Sequence, residues 1–149
     1  MCEPLIREAL VIYEQRGDQQ GVGNAYRVYG IFLTSGTVTQ WERYYRRNGF
    51  QDKSITFDGR YAKAVEYFEH AEPLLRDAGQ FDLLTGLYYH QAFALGNTGQ
   101  QARACASLGQ ALDAYQENMR RNPTAKPNTG GFASVPDLIE DGKRRVGCQ

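Results

Sequence analysis

The chain has 149 residues, 42% of them hydrophobic and 23% charged, a length that suits one domain with its own core. Seventeen basic and seventeen acidic residues cancel, which disfavours a general electrostatic grip on nucleic acid. No run of about 18 apolar residues occurs, so no segment reads as a membrane span. The opening MCEPLIREALVIYEQ is charged from its third residue, so as written it is no signal peptide.

Apolar and small residues recurring at i, i+3, i+4 and i+7 predict helices over about 3–16, 19–33, 60–77, 80–96 and 100–121. Cys2 has two readings: a small helix residue, or the lipidated first residue of a bacterial lipoprotein whose leader has been trimmed. Gly17, Gly59, Gly79 and Gly99 fall where helices should end. Between about 35 and 58 lies TQWERYYRRNGF, Thr39–Phe50, with the chain's one tryptophan. Placed on a single helix, Trp41, Tyr44 and Tyr45 share one direction while Arg43, Arg46 and Arg47 oppose them. That segment reads as aromatics packed inward with arginines in solvent, as a protein-binding hot spot of Trp41, Tyr44, Tyr45 and Arg46, or as a nucleic-acid surface. The helical wheel favours the first and disfavours the last.

Asn48-Gly49 ends that helix, and FQDKSITFDGRY is expected to cross back extended, anchored by Phe50, Ile55 and Phe57. NPTAKPNTGGFASVP, Asn122–Pro136, is a connection rich in turn formers. Ser134 is placed to cap a last helix from Pro136. Asp137 and Glu140 sit in its first turn, with Lys143, Arg144 and Arg145 near its end, a polarity that suits the helix dipole. The expected organisation is a repeat domain over residues 1–121, interrupted at about 35–58, followed by the connection and a short capping helix over 122–149.

Self-similarity supports the repeat. GRYAKAVEYFEHA (Gly59–Ala71) aligns with GQQARACASLGQA (Gly99–Ala111) at an offset of 40, pairing Ala64 with Ala104, Phe68 with Leu108 and Ala71 with Ala111. ALVIYEQRGDQQGVGNAYRVYGIFL (Ala9–Leu33) aligns with AEPLLRDAGQFDLLTGLYYHQAFAL (Ala71–Leu95) at an offset of 62, pairing Gly17 with Gly79 and Tyr26 with Tyr88, and setting Gly30 against Ala92. The difference of 22 residues between the offsets must lie between Leu33 and Gly59. It marks an insertion in a repeat of about 40 residues.

These residues resemble the tetratricopeptide repeat family, in which a glycine-aromatic turn leads into a second helix of small, aromatic and small residues. YRVYGIFL and YYHQAFAL are similar to its first helix. The likeness covers roughly residues 3–118 outside the insertion. It implies an all-α solenoid of helical hairpins, about two and a half repeats, in the longer bacterial variety. Gln101 departs from the pattern, standing where an aromatic is usual. The first unit keeps only its second helix, with Cys2 and Ile6 at the small and aromatic positions. A further helix or another subunit is then expected to cover it, since solenoids need capping.

Chemistry is sparse. Cys2, Cys105 and Cys148 lack a metal or redox spacing and fit a reducing cytosol, with Cys105 expected as a buried thiol. His70 and His90 stand alone in helical patterns. No catalytic or metal-binding motif and no cofactor motif appears. The resemblance instead implies a concave groove for a peptide or helix, with Asn24, Arg27 and Ile31 from one unit and Tyr89, Phe93 and Asn97 from the next. The family's carboxylate clamp is not reproduced, because its lysine and asparagine set is missing. The expectation is a non-catalytic scaffold that binds another protein or peptide, cytoplasmic by default. Two alternatives stay open: an envelope lipoprotein anchored at Cys2 that organises a periplasmic or surface assembly, and weak nucleic-acid binding through the insertion arginines. Self-association through the uncapped first helix is a further expectation.

Overall fold

The computed structural model describes residues 2–149; Met1 and the side chain of Cys2, including the lipid attachment considered as an alternative, lie outside the described residues. The fold is all-α, with eight helices and no strand among the described residues. They are α1 (Cys2–Arg16), α2 (Gln19–Thr34), α3 (Gly36–Gln40), α4 (Glu42–Asn48), α5 (Arg60–Asp77), α6 (Phe81–Asn97), α7 (Gln101–Arg121) and α8 (Val135–Val146). The chain divides into two compact units, residues 1–74 and 75–149, and α5, which carries Pro73 in its interior, runs through the boundary.

In the first unit α1 packs against α2. Asp18 caps α2 by accepting a hydrogen bond from the Gly21 amide at 2.9 Å, satisfying one of the orphan donors of a helix start. Gly30 explains why α2 can lie so near α5. A Cβ there would stand 2.6 Å from the Phe68 ring, and Phe68, Ala64 and Ala71 are fully buried. Glycine at position 30 is a packing requirement rather than a turn.

The insertion departs from the single helix expected. Trp41 interrupts it, ending α3 and capping the start of α4 at φ −101° and ψ 28°. Residues 49–59 return through turns rather than extended chain, with both the Ser54 amide and its hydroxyl donating to Asp52 Oδ1. Phe50, Ile55 and Phe57 are buried as the pattern predicts. Gly59 ends nothing. Its carbonyl accepts the Lys63 amide at 3.1 Å as α5 begins, whereas the other three of this set, Gly17, Gly79 and Gly99, take positive φ of 66°, 68° and 77°, each just past a helix end.

Three buried or partly buried hydrogen bonds that the sequence pattern did not announce tie the return segment and its neighbours. Glu3, on α1, accepts the Tyr29 hydroxyl at 2.6 Å and the Gln51 amide at 2.5 Å. Tyr67, on α5, donates to Asp52 Oδ2 at 2.6 Å, and its ring stacks on Tyr29 at 4.9 Å. Burial pushes both tyrosine hydroxyls well above their ordinary pKa, with the Glu3 and Asp52 carboxylates adding to it. Burial opposes ionisation of Asp52, but hydrogen bonds from Tyr67 and Ser54 outweigh it and hold the carboxyl at about 2.

In the second unit α6 and α7 pack side by side, and α8 packs on both. Leu84, Leu87, Leu95, Leu108 and Ile139 fill the space between them. Ser134 caps α8 by accepting the Asp137 amide at 3.2 Å, as its position predicts. Gly147, at φ 86°, closes the other end, with Cys148 donating its amide to Lys143 O. Gln101 gains a reason for its departure from the repeat pattern: its side-chain amide donates to the carbonyls of Val146 and Gly147 at 3.1 and 2.8 Å. Beside it Cys105 is not a buried free thiol. It is half-buried and bonded to Cys148 in a disulfide, with Cα atoms 5.7 Å apart, a separation ordinary for such a bridge. Cys148 therefore pairs with Cys105 rather than Cys2.

Candidate interaction site

The aromatics of the insertion share one face, Trp41, Tyr44 and Tyr45 all lining one groove, but differ in burial. Tyr45 is buried, stacked on Phe50 at 4.5 Å and edge-on to Phe32 at 6.3 Å. Trp41 remains 58% exposed and Tyr44 38% exposed, meeting edge-to-face at 6.4 Å. Trp41 lies at the N-cap position of α4, and of the three aromatics only Tyr45 is buried.

The exposed pair forms one wall of an open groove of about 520 Å³. Ile6 of α1, Val28, Ile31 and Phe32 of α2, and Tyr45 complete its apolar lining, with Ser35 and Thr37 at the α2–α3 junction. Among the described residues no charged side chain lines it. The Ser35 hydroxyl is turned back to the Phe32 carbonyl at 2.7 Å. A groove this apolar and this open is a feature that soluble surfaces rarely keep without use, and tryptophan and tyrosine are the side chains most enriched in binding hot spots.

The arginines behind that wall have different situations. Arg46 donates to Glu42 at 2.7 Å, forms a two-pronged bridge to Asp58 at 2.8 and 3.1 Å, and lies over the Phe57 ring. Its guanidinium clamps α4 to the return segment and is already satisfied. Arg43 is exposed and lines a shallow recess on the other side of Trp41 and Tyr44. Arg60, which sequence reading missed, is a buried cation. It sits 3.9 Å from the Phe57 ring centroid and 4.3 Å from that of Tyr61, and donates to the Phe57 carbonyl.

Of the remaining candidates in the first unit, Ile31 lines the groove, while Arg27 Nε donates to Asn24 Oδ1 at 3.0 Å along α2. In the second unit Tyr89 and Phe93 meet edge-to-face at 5.0 Å and are half-buried under α8. A Cβ on Gly142 would stand 3.2 Å from the Tyr89 ring and 3.7 Å from Phe93. The capping helix thus rests on the two aromatics expected to meet a partner. Asn97 is exposed and donates back to the Phe93 carbonyl at 2.8 Å. A second recess, of about 430 Å³, is bordered by Arg76, Phe81, Gln110, Asp113 and Glu117. Its charged rim contrasts with the apolar groove of the first unit. Among the described residues no three His, Cys, Asp or Glu side chains converge as metal ligands would, and no helix is long and apolar enough to cross a membrane.

No protein-family model matches this chain, and no curated protein or solved structure matches it. The tetratricopeptide likeness rests on the repeated residues themselves.

Proposed function

We propose that this protein is a non-catalytic interaction module on tetratricopeptide-like helical hairpins, and that the groove of its first unit binds a helix of a protein partner. One observation carries the reading: an open apolar groove walled by an exposed tryptophan and tyrosine. The helical-hairpin assignment draws support from the small-residue contact of Gly30 with Phe68 and from the left-handed glycines after α1, α5 and α6.

The groove also selects the conformation of its occupant. Its walls are side chains of helices whose backbone groups are bonded internally, so an extended peptide would find no main-chain partners there and would bury unsatisfied amides. A helix satisfies its own backbone and lays one apolar stripe into such a groove, anchored at i, i+3, i+4 and i+7. The direct test titrates a synthetic helical peptide carrying a leucine stripe and glutamates on its flanks. Trp41 is the chain's one tryptophan, so its fluorescence reports occupancy. A saturable blue shift, weakened by Ile31→Glu while the circular dichroism is retained, supports the reading. An unchanged Trp41 spectrum across the titration removes it.

The envelope-protein alternative draws support from the Cys105–Cys148 disulfide, because such bridges persist in oxidising compartments. Fractionation of native cells with metabolic lipid labelling tests it: label at Cys2 in the membrane fraction supports an anchored protein, and an unlabelled soluble protein rejects it. The nucleic-acid alternative has less support, since Arg46 already serves two carboxylates.

A further inference from the structure

We infer that the helix the groove receives is α1 of a second copy of this chain, docked reciprocally about a two-fold axis. This rests on the groove being a helix-binding site, and it names the occupant.

The same unit carries both halves of such a contact. The outward face of α1 exposes Leu5 at 67% and Ile12 at 39%, two residues seven apart and therefore on one stripe of the helix. Glu8 lies along one edge of that stripe, exposed and with no ion-pair or hydrogen-bond partner among the described residues. Leu5, Ala9 and Ile12 supply apolar anchors at i, i+4 and i+7 on a helix that already satisfies its backbone, and Glu8 at i+3 sets a carboxylate on the edge of the stripe. Opposite stands Arg43, exposed just beyond the Trp41–Tyr44 wall and, unlike Arg46, without a carboxylate partner among the described residues. A ridge of Leu5 and Ile12 seated in the groove would bring Glu8 toward Arg43 and cover Trp41 and Tyr44.

Ridge and groove are also neighbours. Ile6, next to Leu5 on α1, lines the groove. A two-fold axis passing between the ridge and the groove seats each copy's ridge in the other's groove at once, so that the contact closes on itself. That is the self-complementary arrangement of the commonest homodimers. A head-to-tail contact would leave one ridge and one groove open at the ends.

The charge pair supplies a test that does not depend on disturbing the core. Glu8→Arg places an arginine against the partner's Arg43, and Arg43→Glu sets two glutamates together; both positions are exposed, so folding, checked by circular dichroism, is retained. Sedimentation equilibrium of the full chain is expected to show reversible dimers. Each single variant is expected to weaken the dimer by about tenfold or more, as like charges meet in place of opposite ones. An equimolar mixture of the two variants is expected to recover it, because in the mixed dimer both contacts again join an arginine to a glutamate. Leu5→Asp should remove dimers without rescue by either variant. A wild-type chain that stays monomeric, single variants that associate like the wild type, or a mixture that does not recover each overturn the inference. The groove reading is separable. If the monomeric chain still shifts its Trp41 spectrum with the leucine-striped peptide, the groove binds a helix that is not α1; if it does not, both readings fall.

Discussion

Replacing Tyr67 with phenylalanine keeps the ring that stacks on Tyr29 and removes only the hydroxyl that donates to Asp52 at 2.6 Å. Holding that carboxyl at about 2 rather than its ordinary 3.8 corresponds in full to about 2.5 kcal/mol. Ser54 supplies part of this with its amide and hydroxyl, and the partial exposure of Asp52 screens the rest. We assign about 1 kcal/mol to Tyr67. Because the folded-state value lies below the ordinary one, the contribution is complete above pH 3.8 and disappears as pH falls through about 2. Urea unfolding followed by circular dichroism, on wild type and Tyr67→Phe at several pH values between neutral and 2, measures the difference directly. The wild type should be more stable by about 1 kcal/mol at neutral pH, with the gap narrowing to a few tenths near pH 2. A gap that is constant over the whole range would refute the assignment to the Asp52 carboxylate, and would point to the hydroxyl's own burial instead.

Gly30→Ala should destabilise the first unit by about 1–3 kcal/mol, since its methyl must displace the buried Phe68 ring. Gly109→Ala, at a helical site with open space around its Cβ, should be neutral or stabilise by up to about 1 kcal/mol; equal effects in thermal melts would contradict the close-approach argument. Reduction of the disulfide, or Cys148→Ser, opens a crosslink between residues 43 apart. Chain-entropy reasoning gives a loss of up to about 4 kcal/mol, seen as a lower melting temperature with reductant; an unchanged melt shows that α8 is held by packing alone. Gln101→Ala removes the two bonds to the end of α8 and should cost about 1 kcal/mol, read as faster amide exchange over residues 143–148.

The sequence by itself determined where most helices run, because the period of apolar residues and the placement of Ser134 and the glycines at 17, 79 and 99 are local signals. It also marked Ala64, Phe68, Ala71, Ala104, Leu108 and Ala111 as core, all of them buried. Whether the hairpins form a tetratricopeptide solenoid is a proposal that the repeat supports. What the tertiary structure alone decided were contacts between residues distant in the chain. No periodicity shows that Glu3 reaches the Gln51 amide, that Gln101 holds the end of α8, or that Cys105 finds Cys148. The insertion was legible least, for a physical reason. A wheel drawn over Trp41–Arg47 assumes one unbroken helix, whereas the chain breaks at Trp41 between α3, which buries Val38, and α4, which buries Tyr45. The wheel's shared direction for Trp41, Tyr44 and Tyr45 does not say which of them is covered: Tyr45 is buried, and Trp41 and Tyr44 stay exposed as the wall of a groove. A residue's face on a helix follows from its spacing; what that face meets follows only from where the helix is broken and what packs beside it.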